Sequence, residues 1–209
     1  WNKLQNEVLT VVREQDPERI VFVPAMGWQD YNYIKYARVA EEDPNAVVSF
    51  HYYLPMLLSH YKMLAWVGYQ GAVQYPGVVI PTQSDADKYP QYASFHKTTY
   101  NADRIMGEMS NAASDGRNAG LAVHCGEFGC SKNVAEAMRL AWFTDMVAAM
   151  EANNIPWTLW ECLDGGFGFV DMEYGIYRIN CPLLKVLTGK ELTDAEAKAL
   201  LQKYGFKTE

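Results

Sequence analysis

Four short apolar runs alternate with stretches of helical period, and this alternation constrains the fold more than any other feature of the chain. The runs occupy residues 20–23, 47–53, 121–128 and 155–160. A continuous apolar run bounded by turn residues is the pattern of a strand buried on both faces of a parallel sheet. Before the first run, Trp1, Leu4, Val8, Val11 and Val12 recur at helical spacing over residues 1–15, and Asp16-Pro17 stops that helix. Residues 31–42 read as a weaker helix closed by Asp43-Pro44. Further helices are predicted over 99–118, 134–153, 181–188 and 193–203, the last capped by Thr193 or Asp194. Strands and helices in this order predict an α/β protein with a parallel sheet.

Residues 54–97 interrupt the alternation. They are rich in Pro, Gly, Tyr and His, and a loop of that length is functional or disordered. Its aromatic content argues against disorder. A length of 209 residues suits one domain, with two as the alternative. The net charge of −7 leaves no basic footprint, so nucleic acid is not an expected partner. No apolar run approaches the roughly 18 residues of a membrane span, and membrane is not an expected partner either. The chain begins at Trp1 rather than Met, so the expectation is that the true N-terminus has been removed or lies elsewhere; no signal peptide is visible.

Cys125, Cys130, Cys162 and Cys181 contain no Cys-x-x-Cys, and the 125–130 spacing is a weak zinc signal without a second pair. Buried free thiols are expected, with a disulfide left open should the protein be exported. The glycine-rich run 165–168 is not followed by a helical pattern, so it is not a dinucleotide fingerprint. No metal or cofactor is called for. Six Trp and fourteen Tyr exceed what such a core needs, and surplus aromatics serve as flat platforms in sites and interfaces.

Each strand finishes in polar or aromatic residues: Trp28 beyond the first, His51 and Tyr53 on the second, Glu127 on the third, and Trp160 with Glu161 on the fourth. In a parallel sheet these ends share one face, which in a (β/α) barrel is the catalytic face. Glu127 lies between Gly126 and Gly129, where backbone approaches a ligand closely. It reads as the nucleophile of a retaining glycosidase; the plainer alternative is a strand-end glutamate that pairs with an arginine or faces water. Such a nucleophile must stay ionised, and Tyr53 on the neighbouring strand could donate a hydrogen bond to it. Trp160 could floor a sugar ring, with Trp28 and Trp66 extending the platform. A retaining enzyme also needs an acid/base carboxyl roughly 5–5.5 Å from the nucleophile. Glu161 and Asp164 are the nearby candidates, but Glu161 follows Trp160 in strand register and points away from it.

The ordered set Ser49-Phe-His-Tyr-Tyr-Leu-Pro55, Ser59-His60, Trp66, Tyr75-Pro-Gly77, Gly126-Glu-Phe-Gly129, Trp157-Thr-Leu-Trp-Glu161 and Gly166-Phe-Gly168 resembles the C-terminal half of glycoside hydrolase family 5, the (β/α)8-barrel cellulases. The likeness runs from Trp1 to about residue 189, with 190–209 as an added helix. It implies a half TIM barrel forming one domain, its strands corresponding to the fifth to eighth of the barrel. It further implies that Glu127 is the nucleophile, Tyr53 orients it, His51 lies near the acid/base, His60 lines the site and Trp160 stacks a sugar. The family's acid/base glutamate belongs to an Asn-Glu-Pro motif. Here the only Asn-Glu is Asn6-Glu7, followed by Val8 within a helix. The resulting expectation is a secreted endo-β-1,4-glucanase fragment acting on cellulose or β-glucan. A non-catalytic carbohydrate-binding fragment or a mannanase-type specificity are the alternatives. The two raw sheet edges of a half-barrel lead to a further expectation, a homodimer.

Overall fold

The computed structural model describes residues 1–39, 43–63, 68–163 and 165–209. Their contacts divide the chain into two compact units. The first comprises Trp1–Tyr52, Met106–Phe128 and Ala149–Thr158, and the second Tyr53–Ile105, Gly129–Ala148 and Leu159–Glu209.

The first unit is built on a four-stranded sheet in the order β1 (Val21–Pro24), β2 (Ala46–Tyr52), β3 (Ala122–Phe128), β4 (Trp157–Leu159). The β1–β2 and β2–β3 pairings are parallel, as the apolar runs predict. Beside β4, the Cys125 amide donates to the Pro156 carbonyl at 2.9 Å. Side chains alternate across the sheet. Val23, Val48, Phe50, Tyr52, Val123 and Cys125 are buried on one face. Helix α2 (Ala102–Asn118) packs there closely enough that a Cβ on Gly116 would lie 2.3 Å from Val123 Cγ1.

Helix α1 (Asn2–Gln15) forms where its period predicts, but with a different face inward. Gln5 and Leu9 are buried, whereas Trp1, Leu4, Val8 and Val11 are 53–60% exposed. Gln5 is accommodated because its side-chain amide can donate to the Arg38 carbonyl, at 3.5 Å. The helix expected over 31–42 is instead a 3-10 turn, Tyr31–Tyr36, with the Asp30 side chain accepting from the Asn32 amide. Three tyrosines in six residues are poor helix formers, which favours the shorter element. Residues 40–42 of that expectation lie outside the described residues.

In the second unit, the described residues of the 54–97 segment include short pieces: the helical turns Met56–Ser59 and Gln83–Lys88, and a 3-10 run Pro90–Lys97. Gly77–Val78 pairs antiparallel with Thr99–Tyr100. Most of helix α3 (Glu136–Ala152) belongs here, with Trp142 fully buried and its indole N–H donating to the Leu54 carbonyl at 3.0 Å. Helices α4 (Cys181–Thr188) and α5 (Asp194–Lys203) lie where expected. Thr193 and Glu196 form a reciprocal capping box at the start of α5. Between Gly168 and α4 the chain forms an antiparallel hairpin, Val170–Glu173 with Ile176–Ile179, that the sequence reading did not include.

Candidate active site

Strict alternation would place Glu127 on the same face of β3 as Cys125, against the helices. The register does not run that way. Phe50 pairs with Cys125, yet the next residue, His51, pairs with Glu127, so Gly126 is an extra residue on β3. A bulge of this kind re-aims the side chain that follows it. Glu127 thereby joins the face that carries Ser49 and His51. Glycine is needed at the bulge because a Cβ on residue 126 would lie 2.4 Å from the Ser49 hydroxyl oxygen.

On that face His51 Nδ1 stands 3.3 Å from Glu127 Oε2, both side chains about a quarter exposed. The resemblance puts His51 near the acid/base; here it faces the candidate nucleophile itself. Burial holds the His51 pKa below the usual imidazole value and outweighs the opposing pull of the Glu127 carboxylate. A neutral ring facing a carboxylate through Nδ1 favours the Nδ1–H tautomer, which can donate to Glu127. His124, a neighbour on the same face that the sequence reading did not assign, packs its ring 4.7 Å from Phe22 and reaches Thr158 Oγ1 through Nε2 at 3.1 Å. Its Nδ1 is buried without a hydrogen-bond partner among the described residues. Its signal was a histidine set in an apolar strand two residues from the bulge.

Trp28 stands 98% exposed at the end of β1, above a shallow apolar recess that includes Trp1, Pro24 and Met26. Gly27, Trp28 and Gln29 all have φ between 61° and 64°. A bulky residue in the left-handed region is a strained conformation, of the sort that persists where a surrounding fold imposes it.

In the second unit, Tyr53 packs its ring 4.9 Å from His60 and 5.8 Å from Phe167, and His60 lies 5.2 Å from Phe167. Ser59 ties this cluster together: its hydroxyl donates to the Tyr53 carbonyl and lies 2.9 Å from His60 Nδ1. Trp160 is 45% exposed. Its backbone passes so near Gly129 that a Cβ there would lie 2.3 Å from the Trp160 carbonyl oxygen. Both glycines around Glu127 are thus required by close approach, Gly126 to the Ser49 hydroxyl and Gly129 to the Trp160 backbone. Glu161 lies over Gly165 with Oε1 buried and unpartnered among the described residues. Trp66 and Asp164 lie outside the described residues.

The four cysteines are free. Cys125 and Cys130 are fully buried, but Cys162 is exposed and Cys181 half-buried, so burial holds for only two of the expected buried thiols. Burial pushes the Cys130 thiol up to about 12 and raises Cys125 further, which removes both as nucleophiles. No helix among the described residues is long and apolar enough to cross a membrane.

Burial also lowers the pKa of His60 and His124. A histidine whose folded pKa lies below its unfolded value of about 6.5 binds its proton more readily when unfolded. Its stabilising contribution is therefore complete above that pH and is lost as pH falls through the folded value. The melting temperature is expected to hold above pH 7 and to drop as the buffer is taken from pH 6.5 toward 5. His124→Gln should flatten that dependence. A melting temperature that rose on acidification would contradict the assignment.

Several solved structures share this architecture. An endoglucanase superposes with a TM-score of 0.70 at 23% identity, over 91% of this chain and 54% of its own. The cellulose synthase subunit Z of Clostridioides difficile gives 0.69 at 22%, over 90% and 55%. In sequence, Endoglucanase C of Acetivibrio thermocellus is 23% identical over 185 residues, 85% of this chain and 51% of that protein. The fold is α/β, part of a (β/α) barrel of the kind found in glycosidases. Residues 1–166 match the cellulase family, glycosyl hydrolase family 5, and the chain belongs to that family. It spans about half the length of Endoglucanase C and of these solved chains.

Proposed function

We propose that this chain is the part of a retaining endo-β-1,4-glucanase that carries the nucleophile, Glu127, and that its substrate is cellulose or a related β-glucan. The observation that carries this reading is the bulge at Gly126, which turns Glu127 out of the buried face and toward His51 in a family 5 chain. In this mechanism Glu127 attacks the anomeric carbon, the leaving oxygen departs with a proton from a separate acid, and water then releases the glycosyl-enzyme. His51 orients the carboxylate. Tyr53 orients it as well, as the family resemblance implies, and His60 lines the sugar site. Trp160, Trp28 and Trp66 offer rings to the apolar faces of sugars. A polymeric substrate of this kind lies outside the cell, so the protein is proposed to act there. The strands correspond to the fifth to eighth of the family's barrel.

A second reading rests on one observation: no Asn-Glu-Pro occurs in the 209 residues. A chain acting without that acid would bind β-glucan and turn it over slowly or not at all. One experiment separates the readings: calorimetric titration with cellotetraose and with mannotetraose, beside an assay of soluble β-1,4-glucan hydrolysis. The enzyme reading expects both binding and reducing ends; the binding reading expects heat without reducing ends. Trp160→Ala should weaken cellotetraose by on the order of 1–3 kcal/mol, the range for burying a large side chain. Absence of both binding and hydrolysis would end the glucan assignment.

Self-association belongs to the same proposal. β1 is an edge strand, Ile20 and Phe22 at it are more than half exposed, and α1 turns Leu4, Val8 and Val11 outward, with Trp1 exposed just before it. Edge strands recruit other strands, and two copies related by a two-fold axis would cover this surface isologously. Light scattering at micromolar concentration is expected to return twice the 23.7 kDa chain mass. A monomer at that concentration would rule the dimer out.

A further inference from the structure

Arg139 is an arginine of α3 that the glycosidase mechanism does not use, and it is only 4% exposed. Among the described residues its three hydrogen bonds all go to backbone carbonyls. Nε donates to Cys130 at 2.9 Å, and Nη2 donates to both Phe167 and Gly168, the latter at 2.8 Å. A buried guanidinium carries a large desolvation cost, and here the hydrogen bonds that offset it join two backbone segments. One segment follows directly after β3; the other is the glycine-rich loop after Trp160. The same two segments are joined again by the Lys132 amide, which donates to the Gly166 carbonyl at 2.8 Å.

Glycines lie where the two segments approach most closely. A Cβ on Gly168 would lie 2.3 Å from the Cys162 carbonyl oxygen, and one on Gly129 would meet both the Trp160 carbonyl and the Phe167 ring. Phe167, whose carbonyl the guanidinium holds, is the residue that packs against Tyr53 and His60. A planar guanidinium presents its donors in a fixed fork that spans carbonyls of two segments, whereas a lysine ammonium gathers its three donors at one point on a flexible stem.

We infer that Arg139 is a positioning residue: it pins the Trp160–Gly168 loop, and so sets the orientation of Trp160 and of the Tyr53–His60–Phe167 cluster toward a bound sugar chain. This rests on the glucan reading for the identity of the ligand, but not for the clamp itself. The test uses the full chain labelled with 5-fluorotryptophan, whose six tryptophans give six fluorine resonances; Trp160→Phe identifies the one from Trp160. Arg139→Lys and Arg139→Gln are compared with the parent by circular dichroism, by the Trp160 resonance and by cellotetraose titration. The expected result is a retained fold, a shifted or doubled Trp160 resonance, and cellotetraose binding about tenfold weaker, the scale set by re-ordering a few interface side chains. An unchanged Trp160 resonance in a folded variant would overturn the inference. So would failure of both variants to fold, which would make Arg139 a core residue. If the parent chain does not bind cellotetraose, the glucan reading fails, while the fluorine spectra still decide whether Arg139 positions the loop.

Discussion

Replacing Glu127 by alanine is expected to lower the hydrolysis of 2,4-dinitrophenyl β-cellobioside by roughly 10⁴-fold or more, the scale on which loss of a nucleophile is felt. The substrate matters to the argument. Dinitrophenolate leaves without a proton, so the assay reads the first bond-breaking step whether or not the chain supplies an acid/base. With Glu127 gone, azide can occupy the vacated space and attack the anomeric carbon as dinitrophenolate departs, giving a glycosyl azide of inverted configuration. Recovery of dinitrophenolate release by azide in Glu127→Ala, and not in the parent chain, is the signature of a missing nucleophile. A 2-fluoro analogue of the same cellobioside should add its glycosyl mass to the parent chain, on the peptide that contains Glu127. Near-parental rates in Glu127→Ala, or label on a different peptide, would remove Glu127 from the role. His51→Ala should cost less, because His51 holds the carboxylate and forms no bond to the sugar.

Much of this site was legible before the structure, for physical reasons that can be traced to particular residues. The apolar runs around Val23, Phe50, Val123 and Leu159 announced a parallel sheet and located its ends, but the strands are buried on one face rather than the expected two, with Phe22 more than half exposed on the other. Thr193 marked a helix start because its hydroxyl is short enough to reach back to a free amide. Other features were not legible. The inward face of α1 is chosen by packing, and the period alone favoured the wrong side. The Val170–Ile179 hairpin did leave a trace, since Val-Asp-Met-Glu and Ile-Tyr-Arg-Ile alternate around Tyr174-Gly175, and both turn residues take positive φ. Arg139 gave no warning: an arginine in a helix reads as a solvated side chain, and only the fold reveals the carbonyls around it. The face on which Glu127 emerges was hidden for a different reason. Alternation has a period of two, and a bulge that breaks it is decided by a contact with another strand.

That contact can be tested directly. Gly126→Ala is expected to destabilise the protein by about 1–3 kcal/mol, the usual cost of forcing an extra carbon into a packed site. It should also lower the rate on the dinitrophenyl substrate, because the bulge that aims Glu127 at His51 would have to shift. Gly126 does not have a positive φ, so an L-residue is compatible with its backbone and the obstacle is the added atom alone. The nearest atom to that carbon is Ser49 Oγ at 2.4 Å; the next, on the His51 ring, are at 3.6 Å and beyond, ordinary contact distance. Removing the hydroxyl should therefore relieve the clash. The double variant Gly126→Ala with Ser49→Ala is expected to recover most of both losses, giving a favourable coupling between the two sites on the order of 1 kcal/mol, within the range seen for residues in contact. Urea unfolding supplies the stabilities and the aryl cellobioside assay the rates. Strictly additive effects would mean that the bulge does not depend on Ser49. Full stability and full rate in Gly126→Ala alone would mean that β3 can aim Glu127 at His51 without a glycine, and the link between the bulge and the site would be lost.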